Sequence, residues 1–108
     1  MLWFFYITIL DNTKYDVIMQ QPDKNLQFMI AVGEVFKDIR EEKTHHSINK
    51  FALEYDLDRG NLSRIEKGLL GCRLITAWKI SEAAGISFVE FAQRLEKKLG
   101  KDFVLFDE

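Results

Sequence analysis

Over most of residues 23–100 apolar side chains recur three and four positions apart, the spacing that lines one face of a helix. Across 25–43 the repeating residues are Leu26, Met29, Val32, Phe36 and Ile39. Ser47 then stands ahead of Ile48, Phe51, Ala52 and Tyr55, and Asp58 ahead of Leu62 and Ile65. Serine and aspartate suit the position before a helix because their oxygens accept from the free N–H groups of its first turn. They predict a second helix after Ser47 and a third over 58–67, stopped at Gly68. A fourth spans 74–84 with Trp78 and Ile80 as its main apolar residues, Trp78 expected in the core, and Gly85 terminates it. The fifth opens with Ser87-Phe88-Val89-Glu90, the pattern of a capping box, and runs through Phe91, Leu95 and Leu99 to Gly100. The only proline, Pro22, precedes all five and interrupts none. Short helices with short connections predict an all-α fold, a five-helix orthogonal bundle.

The pattern changes at both ends. Residues 1–22 are an apolar extension in which aromatic and β-branched residues flank Asp11-Asn12. Two readings stay open: a hairpin of two strands, or an upstream stretch preceding a true start at Met19. Residues 101–108 form an apolar tail whose Phe103-Val104-Leu105-Phe106 reads as a short strand or as a segment folded onto the bundle. The expected division is 1–22, 23–100 and 101–108.

At 108 residues, with 47% hydrophobic and 30% charged positions, the chain has the make-up of one ordinary globular domain. One cysteine, Cys72, has no partner for an intramolecular disulfide, which points to a reducing cytoplasm. The apolar stretch 2–10 is about half the roughly 20 residues a membrane helix needs. It also lacks the basic start and small-residue cleavage site of a signal peptide. The net charge of −2 is unevenly spread. Residues 26–100 carry 12 Lys+Arg against 11 Asp+Glu, and within 59–73 Arg59, Arg64, Lys67 and Arg73 face Glu66 alone. A local basic patch on a weakly charged chain suits a polyanion partner of modest non-specific affinity.

Residues 47–68 carry the chemistry. Two short helices separated by a three-residue break, with small Ala52 at their crossing and Leu57 plugging the turn, describe a helix-turn-helix. Leu62 and Ile65 bury one side of the later helix, leaving Arg59, Asn61, Ser63 and Arg64 on the other. Gly33, Phe36 and Ile39-Arg40 in the first helix belong to the same pattern. So do Phe51-Ala52, Leu57-Asp58, the run Leu62-Ser63-Arg64-Ile65-Glu66-Lys67-Gly68, and Trp78-Lys79-Ile80 with Ala83-Ala84-Gly85-Ile86-Ser87. Together they resemble the Cro- and phage-repressor-like (XRE-type) helix-turn-helix family over about 33–99. Four positions depart from the family pattern. The loop Thr44-His45-His46 is one residue longer, Ile48 replaces a phosphate-holding glutamine, Asp56 replaces the turn glycine, and Cys72 stands where a proline often precedes the fourth helix.

The resemblance implies a double-stranded-DNA partner, with the recognition helix 58–67 in the major groove. Base reading would fall on Arg59, Arg64 and Asn61, arginine favouring guanine through paired bonds to O6 and N7. Backbone contacts would come from Ser47, Ser63, Lys67 and Arg73. Arg40 and Glu66 would form a structural ion pair between the first and third helices. A repressor acting as a homodimer is implied, because one short helix reads too few base pairs for useful specificity. Its dimer surface would be the fifth helix with the C-terminal tail. A second reading is a protein-interaction module or antitoxin-like partner with weak or lost DNA binding, favoured by the acidic balance and the apolar termini. His45-His46 reads as a solvated loop with no metal, and Arg40-Glu41-Glu42-Lys43 as a solvated helix end. Cys72 reads as an inert thiol. Neither a catalytic arrangement nor a cofactor motif emerges, so no enzyme is expected.

Overall fold

Asp23 opens the first helix by accepting the Leu26 N–H at 2.7 Å. It is also the first residue described in the structure, a computed structural model that covers residues 23–106. The N-terminal extension 1–22, with its two open readings, lies outside the described residues.

Helix α1 spans Lys24–Ile39 and widens without a break into a π turn, Arg40–Thr44. A π turn is wound more widely than an α-helix, its backbone bonds reaching one residue further along the chain. The turn closes on itself. Thr44 Oγ1–H donates to the Arg40 carbonyl at 2.6 Å while its oxygen accepts the His46 N–H at 3.0 Å. His45 then reverses the chain at φ 57°.

Ser47 caps α2 (Ile48–Glu54), Asp58 caps α3 (Arg59–Glu66) and Ser87 caps α5 (Phe88–Leu99), each side chain accepting from the third residue beyond it. Helix α4 (Leu74–Ala84) starts at Arg73 without a side-chain cap and ends at Gly85. No strand occurs among the described residues. The architecture is an all-α five-helix bundle.

Phe36, Ile39, Phe51, Ile65, Ile80 and Phe91 bring all five helices into one core. Phe36 and Phe91 stack with ring centroids 4.7 Å apart, fixing α5 across α1. On the outside Lys98 Nζ reaches Asp38 at 3.0 Å, and Arg94 bridges Glu42 and Glu90 at 2.9 and 3.0 Å. Screened surface pairs of this kind contribute little each. Burial of the aromatic face carries the packing.

Two apolar side chains, Trp78 and Tyr55, lie elsewhere than their spacing predicts, and the structure decides between the two readings of the tail. Trp78 is 55% exposed, stacked on Phe88 at 5.4 Å, with its indole N–H donating to Glu82 at 3.2 Å. The inward stripe of α4 is Ala77, Ile80, Ser81 and Ala84, and Trp78 falls on the other side of the helix. Tyr55 sits at the C-cap of α2, against the Phe51 ring but exposed. In the tail Phe103 folds back onto Phe28, centroids 6.4 Å apart, while Val104, Leu105 and Phe106 stay exposed. The strand alternative for 103–106 is therefore excluded, and the tail is an irregular segment held by one ring.

Candidate nucleic-acid interface

The turn between α2 and α3 needs a left-handed residue, and Asp56 supplies it at φ 55°. Aspartate reaches that region more easily than most non-glycine residues. The chain then bonds back, Leu57 N–H to the Ala52 carbonyl at 2.8 Å. Leu57 is half-buried against the core and Ala52 almost fully buried, so the two helices cross at a small side chain. Ile48 is likewise half-buried against the core. Its place at the head of α2 is used for packing rather than for polar contact.

Helix α3 is held from beneath at its C-terminal end. Gly33 of α1 lies so close that a Cβ there would stand 2.3 Å from the Ile65 carbonyl oxygen and 2.5 Å from that of Glu66. Beside this contact Arg40 grips Glu66 through two parallel bonds, Nε to Oε2 and Nη2 to Oε1, both 2.9 Å. Both side chains are 7% exposed. The third guanidinium nitrogen donates to the His46 carbonyl at 2.7 Å, so the pair also fixes the loop before α2. Hydrogen bonding to Glu66 raises the Arg40 pKa above its already high ordinary value, outweighing the opposing cost of burial.

Withdrawing Glu66 leaves the outward face of α3 without a free acid. Arg59, Asn61, Arg64 and Lys67 are exposed there and Ser63 is half-buried. Arg59 Nε–H donates to the Asn49 side-chain oxygen on α2, and Arg64 Nη2 donates to Asn61 Oδ1 at 2.6 Å. Ser47 sits exposed at the start of α2, its oxygen accepting the Lys50 N–H at 3.1 Å. Arg73 lies across a cleft of about 510 Å³ from Asn61, between α3 and α4, with Thr76 and Lys79 on the same wall.

The structure thus brings Arg59, Asn61, Ser63, Arg64 and Lys67 onto one helix. Arg73 lies at the edge of that surface, while Arg40 and Glu66 are buried beneath it. Asn49, Thr76 and Lys79 join the surface without having been singled out from sequence. For Thr76 and Lys79 a usable signal exists, since they follow Arg73 at spacings of three. For Asn49 there is none, because its part depends on how α2 and α3 cross.

His46 Nε2 lies 2.8 Å from Glu54 Oε1. No group of three metal-ligating side chains occurs among the described residues. Cys72 is half-buried, and burial pushes its thiol up to about 11. No helix among the described residues is long and apolar enough to cross a membrane.

Fold and site together define a helix-turn-helix protein: two capped helices crossed at an alanine, the second presenting a polar, basic face. The chain is 39% identical over 69 residues to control protein C.MunI of Mycoplasma sp., an alignment covering 64% of this chain and 93% of that protein. It belongs to the helix-turn-helix regulator family of that control protein. The relative is named a control protein rather than an enzyme. No family model matches the chain, and no solved structure matches it.

Proposed function

We propose that the chain is a sequence-specific double-stranded-DNA-binding regulator of transcription of the Cro- and phage-repressor-like (XRE) kind. In this reading residues 23–100 are the DNA-binding domain, and α3 enters the major groove with Arg59 and Arg64 facing base edges. The observation that carries it is the exposed face of α3, where Glu66, the one acid within the helix, is turned inward and neutralised by Arg40. Such a face attracts the phosphate backbone and offers donors to bases. Ser47, Ser63, Lys67 and Arg73 contact the backbone, joined by Lys79 across the α3–α4 cleft. The relative's name, a control protein, supports a regulatory role.

The protein acts as a homodimeric repressor on a two-fold symmetric operator, because one short helix reads too few base pairs. Exposed apolar side chains on α4 and α5 (Leu74, Ile75, Trp78 and Val89) and on the tail (Val104, Leu105 and Phe106) support a second copy as their cover.

The test is selection of bound fragments from genomic DNA, followed by a salt titration on the recovered duplex. A steep fall of affinity with salt, and its loss in Arg59→Ala and Arg64→Ala with helical content unchanged, is the expected result. Binding that survives both substitutions overturns the readout. The second reading, a protein-interaction module or antitoxin-like partner, is favoured by the net charge of −2 and the exposed apolar side chains. It predicts no salt-sensitive DNA affinity.

A further inference from the structure

Both exposed arginines of α3 are already engaged, each by an asparagine. Arg59 Nε–H donates to the Asn49 oxygen across the crossing of α2 and α3, and Arg64 Nη2 donates to the Asn61 oxygen one turn away. Arginine has only donors, so oxygen and not nitrogen faces it in each pair. Each amide then turns its oxygen towards an arginine and keeps its NH2 group free to donate.

That leftover chemistry decides which base edge the surface fits. An asparagine reading adenine in the major groove must both donate, to N7, and accept, from the N6 amino group. Asn61 already shares its oxygen with Arg64, which weakens it as the acceptor adenine needs. Guanine presents two acceptors there, N7 and O6, and needs only donors. Arg59 keeps both Nη groups free while Asn49 holds its Nε. Gly60 completes the arrangement. A Cβ at Gly60 would lie 3.6 Å from Arg64 Nη1 and 3.4 Å from Asp58 Oδ1, so the guanidinium lies back over position 60 at ordinary contact distance.

We propose that Asn49 and Asn61 are positioning residues that preset Arg59 and Arg64 as donor forks, so that the exposed face of α3 selects guanine over adenine at both arginine positions. The inference rests on the DNA-binding reading above. A free arginine loses rotamer freedom when it docks, and holding the guanidinium beforehand lowers that cost. Asn49 stands outside the recognition helix and exerts its effect through Arg59.

The experiment is selection from a randomised double-stranded DNA library with the full chain and with Arg59→Ala, Asn49→Ala, Asn49→Asp, Asn61→Ala and the Asn49→Ala/Arg59→Ala pair. The far-UV signal of each variant is checked first; Asn49 and Asn61 are exposed, so their variants should fold. Losing a bidentate contact should lower guanine preference at one base pair about tenfold in Arg59→Ala. Losing only its support should cost about threefold at the same base pair in Asn49→Ala. Asn49→Asp keeps the acceptor and should keep the preference, and the double variant should match Arg59→Ala alone. The proposal is overturned if Asn49→Ala relaxes a different base pair or adds fully to Arg59→Ala. It is equally overturned if the wild type enriches an adenine that Asn61→Ala abolishes. A wild-type chain that enriches no sequence removes the DNA reading itself, a result distinct from enrichment without coupling.

Discussion

At Gly33 a single hydrogen separates α1 from the carbonyls that end α3. Alanine there would drive its methyl into backbone that has no rotamer by which to retreat. Gly33→Ala should therefore destabilise the fold by about 3 kcal/mol, the upper range of overpacking, read as a lowered thermal midpoint. The Arg40–Glu66 pair makes a second residue-scale demand. Removing one partner leaves the other charge buried and unpaired, so Glu66→Ala should cost roughly 3–5 kcal/mol in urea unfolding, whereas an apolar pair of similar volume should cost far less. Cys72 gives the third. Its thiol stays protonated in the folded chain to about 11 against an ordinary 9.0. Above pH 9 the unfolded chain therefore releases a proton that the native state keeps. Stability from this group is full below that pH and declines as pH rises from 9 to 11, a decline that Cys72→Ala should remove from pH-dependent unfolding curves. At neutral pH the same thiol should alkylate slowly.

Caps were the most legible elements. Ser47, Asp58 and Ser87 are read from sequence because an N-cap is a local contract between one side chain and the N–H groups three residues on. Asp58→Ala should cost about 1 kcal/mol and fray the first turn of α3. Weaker DNA binding with only slightly reduced helical content would be its signature. The π turn was not legible. A helix end can stay α or widen, and only the bonds from Thr44 and Arg40 decide between them. Trp78 misled for a related reason. Hydrophobicity alone places an indole inside, but the stripe that faces inward on α4 is set by how α1 and α5 pack against it, and Ala77, Ile80, Ser81 and Ala84 occupy it. Asn49 was invisible because its partner, Arg59, is reached only after α2 and α3 have crossed.

For the whole molecule, net charge is a poor guide to the surface that matters. The chain sums to −2, yet the exposed face of α3 is basic because its acid is internalised and other acids serve on α1, in caps and in α5. Long-range attraction to DNA should accordingly be weak, with affinity concentrated in close contacts. Removing Lys67 or Arg73 should flatten the slope of log affinity against log salt by about one each, without altering sequence preference. Exposed apolar side chains cover α4, part of α5 and the tail together. If a second copy covers them, Val89→Asp and Phe106→Asp should each shift sedimentation equilibrium towards monomer while leaving the fold intact. The all-α bundle was readable from periodicity because every helix carries its own apolar stripe. The extent of the exposed apolar surface was not, since the same residues serve equally well as core.

One consequence of the clamp on α3 concerns how such a protein changes its target. Gly33, Arg40 and Glu66 secure the trailing end of the helix, and Leu62 and Ile65 its underside, so stability is invested behind and below the reading surface. Positions 59, 61 and 64 are thereby insulated from the fold and open to drift. If α3 reads DNA as proposed, exchanging those three residues, with Asn49 following Arg59, should change the target and leave the protein as stable as its parent. The expected trace is chimaeras with new operators and unchanged melting temperatures.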